Sequence, residues 1–125
     1  MNPAQETHFE HLVRAYGYSV DGLRAAWSGE IAFRIEAAVC AVALPLAMLL
    51  GQTGLERILL IGAVVLVLVV ELLNSAVEAV VDLVSPDWHP LAKRAKDLGS
   101  AAVFVAAGLA GTVWAIIAYE RFLAG

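Results

Sequence analysis

From Phe9 to Trp27 the larger apolar residues are Phe9, Leu12, Val13, Tyr16, Val20, Leu23 and Trp27. Their offsets of 0, 3, 4, 7, 11, 14 and 18 follow one face of an α-helix, with Glu10, Arg14, Asp21 and Arg24 elsewhere on the wheel. The pattern predicts an amphipathic helix over residues 6–28, lying in a membrane interface rather than crossing it. A soluble helix packed on a partner is the competing reading. Gly17 and Gly22 weaken this helix and are its candidate breaks. A continuous apolar run then covers residues 31–50, with Arg34 and Glu36 in its front third and Pro45 near its far end. Gly51-Gln52-Thr53-Gly54 is a tight connection, followed by Glu56 and Arg57. The second run opens at Ile58 with thirteen uncharged residues up to Val70 and keeps helical character through ELLNSAVEAVVDLV. Ser85-Pro86-Asp87-Trp88-His89-Pro90 is a strong turn signal. After the basic stretch LAKRAKD, Leu98 to Tyr119 is a stretch of twenty-two residues without a charge, enough to cross a bilayer. The prediction is an all-α membrane domain over residues 1–125: one surface helix and transmembrane helices at 31–50, 58–84 and 92–120.

Composition selects the solvent. Of the 125 residues 61% are hydrophobic and 16% charged, with a mean hydropathy of +0.78. Soluble domains average about 45–50% apolar and about 25% charged residues, so this chain suits a bilayer and neither an ordinary soluble fold nor disorder. A net charge of -4 gives no reason to expect a nucleic-acid partner. Cys40 is the single cysteine, which rules out an intramolecular disulfide. The first residues carry no apolar core of a cleavable signal peptide, so the first hydrophobic helix is expected to act as the insertion signal. In a three-span arrangement one side holds Arg14, Arg24, Arg34, Lys93, Arg94 and Lys96, and the other holds Arg57 and Arg121. That asymmetry predicts a cytoplasmic N-terminus and an external C-terminus.

The candidate chemistry lies on the second span. Glu71, Asn74, Ser75, Glu78 and Asp82, at offsets 0, 3, 4, 7 and 11, share one narrow face of an otherwise apolar helix. A carboxylate inside a span costs about 2.5–3.5 kcal/mol on insertion scales. Helix–helix hydrogen bonding alone would explain Asn74 and Ser75 but scarcely needs two glutamates. One carboxylate can hold a hard divalent cation while another accepts a proton, and partial desolvation at a membrane boundary strengthens the base. Glu30 and Glu36 bracket the start of the first span at comparable depth and offer further ligands. Lys93, Lys96, Asp97 and Ser100 share a face of the third helix, where lysines beside a metal neutralise a polyphosphate or, on the plainer reading, only orient the protein. No GxxxxGK[ST] or Gly-rich kinase loop is present. Ala102, Ala106 and Ala110, with Gly111 and Ala115, are spaced for close helix packing, and three spans alone bury little, so a homo-oligomer is expected. Tyr16, Tyr18, Trp27, Trp88, Trp114 and Tyr119 suit interfacial belts.

ELLNSAVEAVVD, the downstream HPLAKRAKDLGSAAV and the upstream GYSVDGLRAAWSGEIAFRIE resemble the small bacterial diacylglycerol kinases. The likeness runs from Arg14 to Tyr119. Its most specific element is E-x-x-N-S/T-A-x-E on a span followed by A-K-D, part of which is shared with undecaprenol kinases. The resemblance implies an integral membrane homotrimer in the bacterial inner membrane, with sites shared between subunits on the cytoplasmic side. It implies transfer of the ATP γ-phosphoryl group to the hydroxyl of diacylglycerol, giving phosphatidic acid, with Mg²⁺ as cofactor. On matching positions Glu71 is the general base, supported by Asn74, and Glu30 and Glu78 hold the metal at the ATP phosphates. Tyr18, Asp87, Trp88, His89, Lys96 and Asp97 match nucleotide positions. His11, Arg24, Trp27, Glu36, Arg57, Ser100 and Trp114 match positions near the lipid or the active site. One departure stands out: His11 occupies a place where arginine is usual, with Arg14 one turn on, and a neutral histidine does not replace a permanent charge. Undecaprenol phosphorylation by the same mechanism, a small proton or cation transporter using the carboxylates, and a non-catalytic scaffold are the competing functions.

Overall fold

The computed structural model describes residues 7–124 as four helices with no strand among the described residues. They are α1 (His8–Gly29), α2 (Ile31–Leu50), α3 (Gly54–Val84) and α4 (Pro90–Phe122). The all-α expectation holds, and α2, α3 and α4 are each long and apolar enough to span a membrane. The expected start of the surface helix at residue 6 lies outside the described residues.

Capping explains where the helices depart from the expected limits. Thr7 and Glu10 form a reciprocal capping box. The Glu10 N–H donates to Thr7 Oγ1 at 3.2 Å, and the Thr7 N–H donates to Glu10 Oε2 at 2.9 Å. The Thr7 donors hold the exposed Glu10 carboxyl below its usual range. Gly17 and Gly22 do not break α1, which runs through both. α3 starts at Gly54 rather than residue 58 because Thr53 Oγ1 accepts the Glu56 N–H at 3.2 Å, folding Glu56 and Arg57 into the first turn. α4 starts at Pro90 rather than residue 92. His89 Nδ1 accepts the Leu91 N–H at 3.1 Å, and proline at the first helical position lacks only a donor that would go unused. At the far end α4 runs past the expected limit at residue 120 to take in Arg121 and Phe122.

A single extended residue, Glu30 at φ -122° and ψ 109°, separates α1 from α2. The corner that turns the chain from the surface helix into the first span therefore carries a carboxylate. Beyond it, α3 is the hub, packing mainly on α4 and next on α2. One buried cluster joins Ala63 and Val67 of α3 to Ala106 and Ala110 of α4, where small side chains let the helices approach closely. A second joins Ala47, Leu60 and Ile117. Trp114 fastens this end by donating from Nε1 to the Leu60 carbonyl at 3.1 Å. From the expected small-residue row, Ala106 and Ala110 are buried, whereas Ala102, Gly111 and Ala115 are exposed. Large apolar side chains such as Phe104, 81% exposed, point outward along the spans, as lipid-facing residues do.

Leu60 is the one large side chain fully enclosed among the described residues. Leu60→Ala is expected to lower unfolding stability in detergent micelles by about 2–3 kcal/mol through the cavity it leaves. Leu59→Ala, at a position 47% exposed, should change it by less than about 0.5 kcal/mol.

Candidate functional site

The polar stripe of α3 turns inward. Glu71 is 5% exposed and Asn74 9%, the only polar or charged side chains this deeply buried among the described residues. Asn74 Nδ2 donates to Glu78 Oε1 at 3.3 Å, joining consecutive turns. Asn74 Oδ1 and Ser75 Oγ are enclosed without a hydrogen-bond partner among the described residues. Glu36 on α2, Glu78 on α3 and Glu30 at the corner all lie within Coulomb range of Glu71. Four carboxylates, two on α3, one on α2 and one at the corner between α1 and α2, thus lie toward one end of the bundle.

These carboxylates offer hard oxygen donors, the chemistry a small divalent cation takes. No three Asp, Glu, His or Cys side chains among the described residues are close enough to form a metal cage. Mg²⁺ rarely needs one, being held by one or two carboxylates together with substrate phosphates and water. The donor set suits a nucleotide-bound cation.

The basic face of α4 meets the lower end of the stripe. Lys96 Nζ lies 2.6 Å from Asp82 Oδ1, bridging α4 and α3, and Lys93 Nζ lies 2.5 Å from Asp97 Oδ2 one turn along α4. Beside them a cavity of about 330 Å³ is lined by Asp87, Trp88, His89, Lys96 and Asp97, with Ser85 and Pro86. Ser85 Oγ donates to the Asp87 carbonyl at 2.8 Å, and the His89 ring caps α4, so the turn is held from both sides. Five of the six residues expected around a nucleotide, leaving aside the metal carboxylates, therefore share one cavity. The sixth, Tyr18, is exposed on α1 and does not line it. Asp82 belongs to the expected polar stripe but has no role assigned to it from sequence; its pairing with Lys96 is what the structure adds. Its place in the stripe, eleven residues after Glu71, was the available signal.

The residues matched to lipid positions divide into groups. Arg24 and Trp27 line a groove of about 340 Å³ with Val20, Leu23 and Phe33 at the α1–α2 corner. Ser100 is exposed on α4 and His11 on α1. Arg57 and Trp114 sit at the opposite end. Arg57 is fourteen residues from Glu71, about 21 Å along the helix, and packs its Cγ over Gly51, where a Cβ would stand 2.6 Å away. Trp114 lines an apolar groove of about 590 Å³ between α2, α3 and α4, with Val42, Leu46, Val64 and Gly111 among its walls.

Comparison with known proteins points the same way. Residues 17–118 match the family model described as prokaryotic diacylglycerol kinase. The chain is 47% identical over 116 residues to the diacylglycerol kinase of Escherichia coli (strain K12), covering 93% of this chain and 95% of that one. The diacylglycerol kinase of Haemophilus influenzae is 47% identical over 108 residues, 86% of this chain and 92% of its own. That of Pseudomonas aeruginosa is 48% identical over 112 residues, 90% and 91% respectively.

The Lys96–Asp82 bridge is 43% and 63% exposed at its two side chains, so solvent screens it. Asp82→Asn is expected to change unfolding stability by less than about 1 kcal/mol, read from denaturant titration in micelles. A larger loss would make the bridge a structural tie between α3 and α4.

Proposed function

The chain belongs to the prokaryotic diacylglycerol kinase family, and from this we propose that it transfers the γ-phosphoryl group of ATP to the hydroxyl of 1,2-diacylglycerol, giving phosphatidic acid. That it is a lipid kinase follows from the family; the chemistry below is our reading of the residues. The observation that carries it is the buried Glu71 carboxylate beside the Asn74–Glu78 pair, at the end of the bundle where the basic turn of α4 also lies.

Phosphoryl transfer asks for in-line placement and neutralised charge more than for covalent chemistry by the protein. Glu71 accepts the proton of the lipid hydroxyl as its oxygen bonds to the γ-phosphorus. The bond to the β–γ bridging oxygen breaks and ADP leaves. Desolvation leaves the Glu71 carboxylate few competing donors and makes it an effective acceptor. Glu30 and Glu78 would hold Mg²⁺, which when bound supplies neutralisation of the phosphate charge. Asn74 orients Glu78. Lys96, paired with Asp82, exchanges that carboxylate for phosphate oxygens when the nucleotide binds. Asp87, Trp88, His89 and Asp97 bound the nucleotide on the turn, with Tyr18 approaching from α1.

The lipid lies along the spans. Its hydroxyl reaches the interface at the depth of Glu71, near Arg24, Trp27, Glu36 and Ser100, and its chains follow the groove toward Trp114 and Arg57. An acyl chain is long enough to make the distance between Glu71 and Arg57 compatible with one substrate. The Lys and Arg distribution supports a cytoplasmic site in the bacterial inner membrane. The partial carboxylate set and outward apolar surfaces of one chain support completion by neighbouring subunits, in a homotrimer.

Purified protein in mixed micelles, given labelled ATP, Mg²⁺, diacylglycerol and undecaprenol side by side, should label diacylglycerol. Glu71→Gln should reduce transfer by at least about 10²-fold while retaining the oligomer. Undamaged activity in that variant removes Glu71 as the base, and labelling mainly of undecaprenol changes the substrate but not the mechanism.

A further inference from the structure

Gly99 lies on α4 where this helix crosses Asn74 of α3. A Cβ built at Gly99 would collide with Asn74 Oδ1 and stand 3.2 Å from Asn74 Cγ and 3.8 Å from Asn74 Cβ. All three of these nearest atoms belong to one side chain; none is backbone. The other glycines inside helices behave differently: Gly17, Gly22, Gly62, Gly108 and Gly111, like Gly29 and Gly54 at helix ends, have none of the described residues within 4 Å of such a Cβ. Close helix packing in general therefore does not account for Gly99.

The consequence falls on the site. The Asn74 amide is wedged between the bare backbone of Gly99 on one side and Glu78 on the other, to which its Nδ2 donates. Asn74 is nine-tenths buried, so its amide has little room to move while keeping that bond. Because the obstacle is a side-chain tip, a methyl at position 99 displaces the amide before it displaces either helix. We propose that Gly99 is a positioning residue for the kinase reaction: the absence of its side chain sets the Asn74 amide, and through it the Glu78 carboxylate, in the orientation that receives the metal-nucleotide. The functional half of this inference rests on the assignment of Glu78 to the metal.

Two independent readouts test it on the full-length protein in mixed micelles, using Gly99→Ala, Asn74→Ala and the double variant. Alanine is a better helix former than glycine, so a methyl free of obstruction should raise the melting temperature. Gly99→Ala is expected to lower it where Asn74 is present and to raise it in the Asn74→Ala background. A change of the same sign in both backgrounds overturns the packing argument. So does a double variant that fails to assemble when Asn74→Ala alone assembles. In the second readout Gly99→Ala should raise the Mg²⁺ concentration for half-maximal phosphorylation about tenfold, the scale of one hydrogen bond to a charged group, leaving the KM for diacylglycerol unchanged. A wild-type Mg²⁺ dependence in Gly99→Ala overturns the positioning role. If Glu78→Gln also leaves the Mg²⁺ dependence unchanged, the metal assignment itself fails, while the melting-temperature cycle still reports on the packing.

Discussion

Holding a carboxylate inside a helix built to cross a bilayer is the constraint on which this structure turns. Glu71 is almost fully enclosed, in a setting where an ionised side chain costs about 2.5–3.5 kcal/mol. The surrounding architecture answers that demand in part. Asn74 and Glu78 continue the polar face into the next turns, the one-residue corner at Glu30 brings the surface helix to the same end, and Lys96 meets the stripe at Asp82. Around Glu71 itself stand Glu36, Glu78 and Glu30, all of its own sign. A concentration of like charge is poor structural engineering and, on the proposed function, good preparation for a divalent cation that arrives on phosphate oxygens.

The register of α4 against α3 determines whether these parts meet. It is set by apolar contacts that begin one turn from Glu71, with Val67 and Ala63 against Ala106 and Ala110, and continue to the Trp114 bond to the Leu60 carbonyl. In a bilayer the apolar effect does not hold helices together, since lipid tails are as apolar as leucine. Fit between small residues and occasional hydrogen bonds must do so instead. One turn of slippage would carry Gly99 off Asn74 and Lys96 off Asp82. The apolar middle of the bundle is thus part of the site's construction, although none of its side chains bears the chemistry.

How much of this is legible in the chain follows from the same division. Periodicity suffices for anything that lies on one helix: the amphipathic face of α1, the three spans, and the Glu71–Asp82 stripe are all one-dimensional patterns. Helix limits were less legible, because Thr53 and His89 act through individual hydrogen bonds that hydropathy does not register. Gly17 and Gly22 looked like breaks, but glycine weakens a helix without forbidding it, and α1 continues. Contacts between helices were the least legible. Ala102, Ala106 and Ala110 offer several registers of similar quality, and only the folded pair shows which two are used. The Lys96–Asp82 bridge and the close approach of Gly99 to Asn74 depend on that choice. The distance of Arg57 from the carboxylates, by contrast, could have been counted along a single helix.

The axial placement of polar groups also separates the competing functions. A proton or cation relay needs polar steps across the whole hydrocarbon layer. Here the stripe stops at Glu71. Between Ile58 and Val70, thirteen residues and about 20 Å of helix, α3 has no polar side chain. Beyond Glu36, α2 offers only Cys40 before Leu50, and between Ser100 and Tyr119 α4 offers Thr112, whose hydroxyl donates to its own Gly108 carbonyl, and Trp114, whose indole N–H is taken up by the Leu60 carbonyl. The stripe carboxylates, the α4 lysines and the turn cavity crowd one end, while the other carries Glu56, Arg57 and an apolar groove. That polarity suits an amphiphile with its reactive group at the interface and its chains in the layer, met there by a polyanion from the aqueous side. It is the geometry of transfer onto a lipid, and it leaves a permeating ion with nowhere to go after its first step.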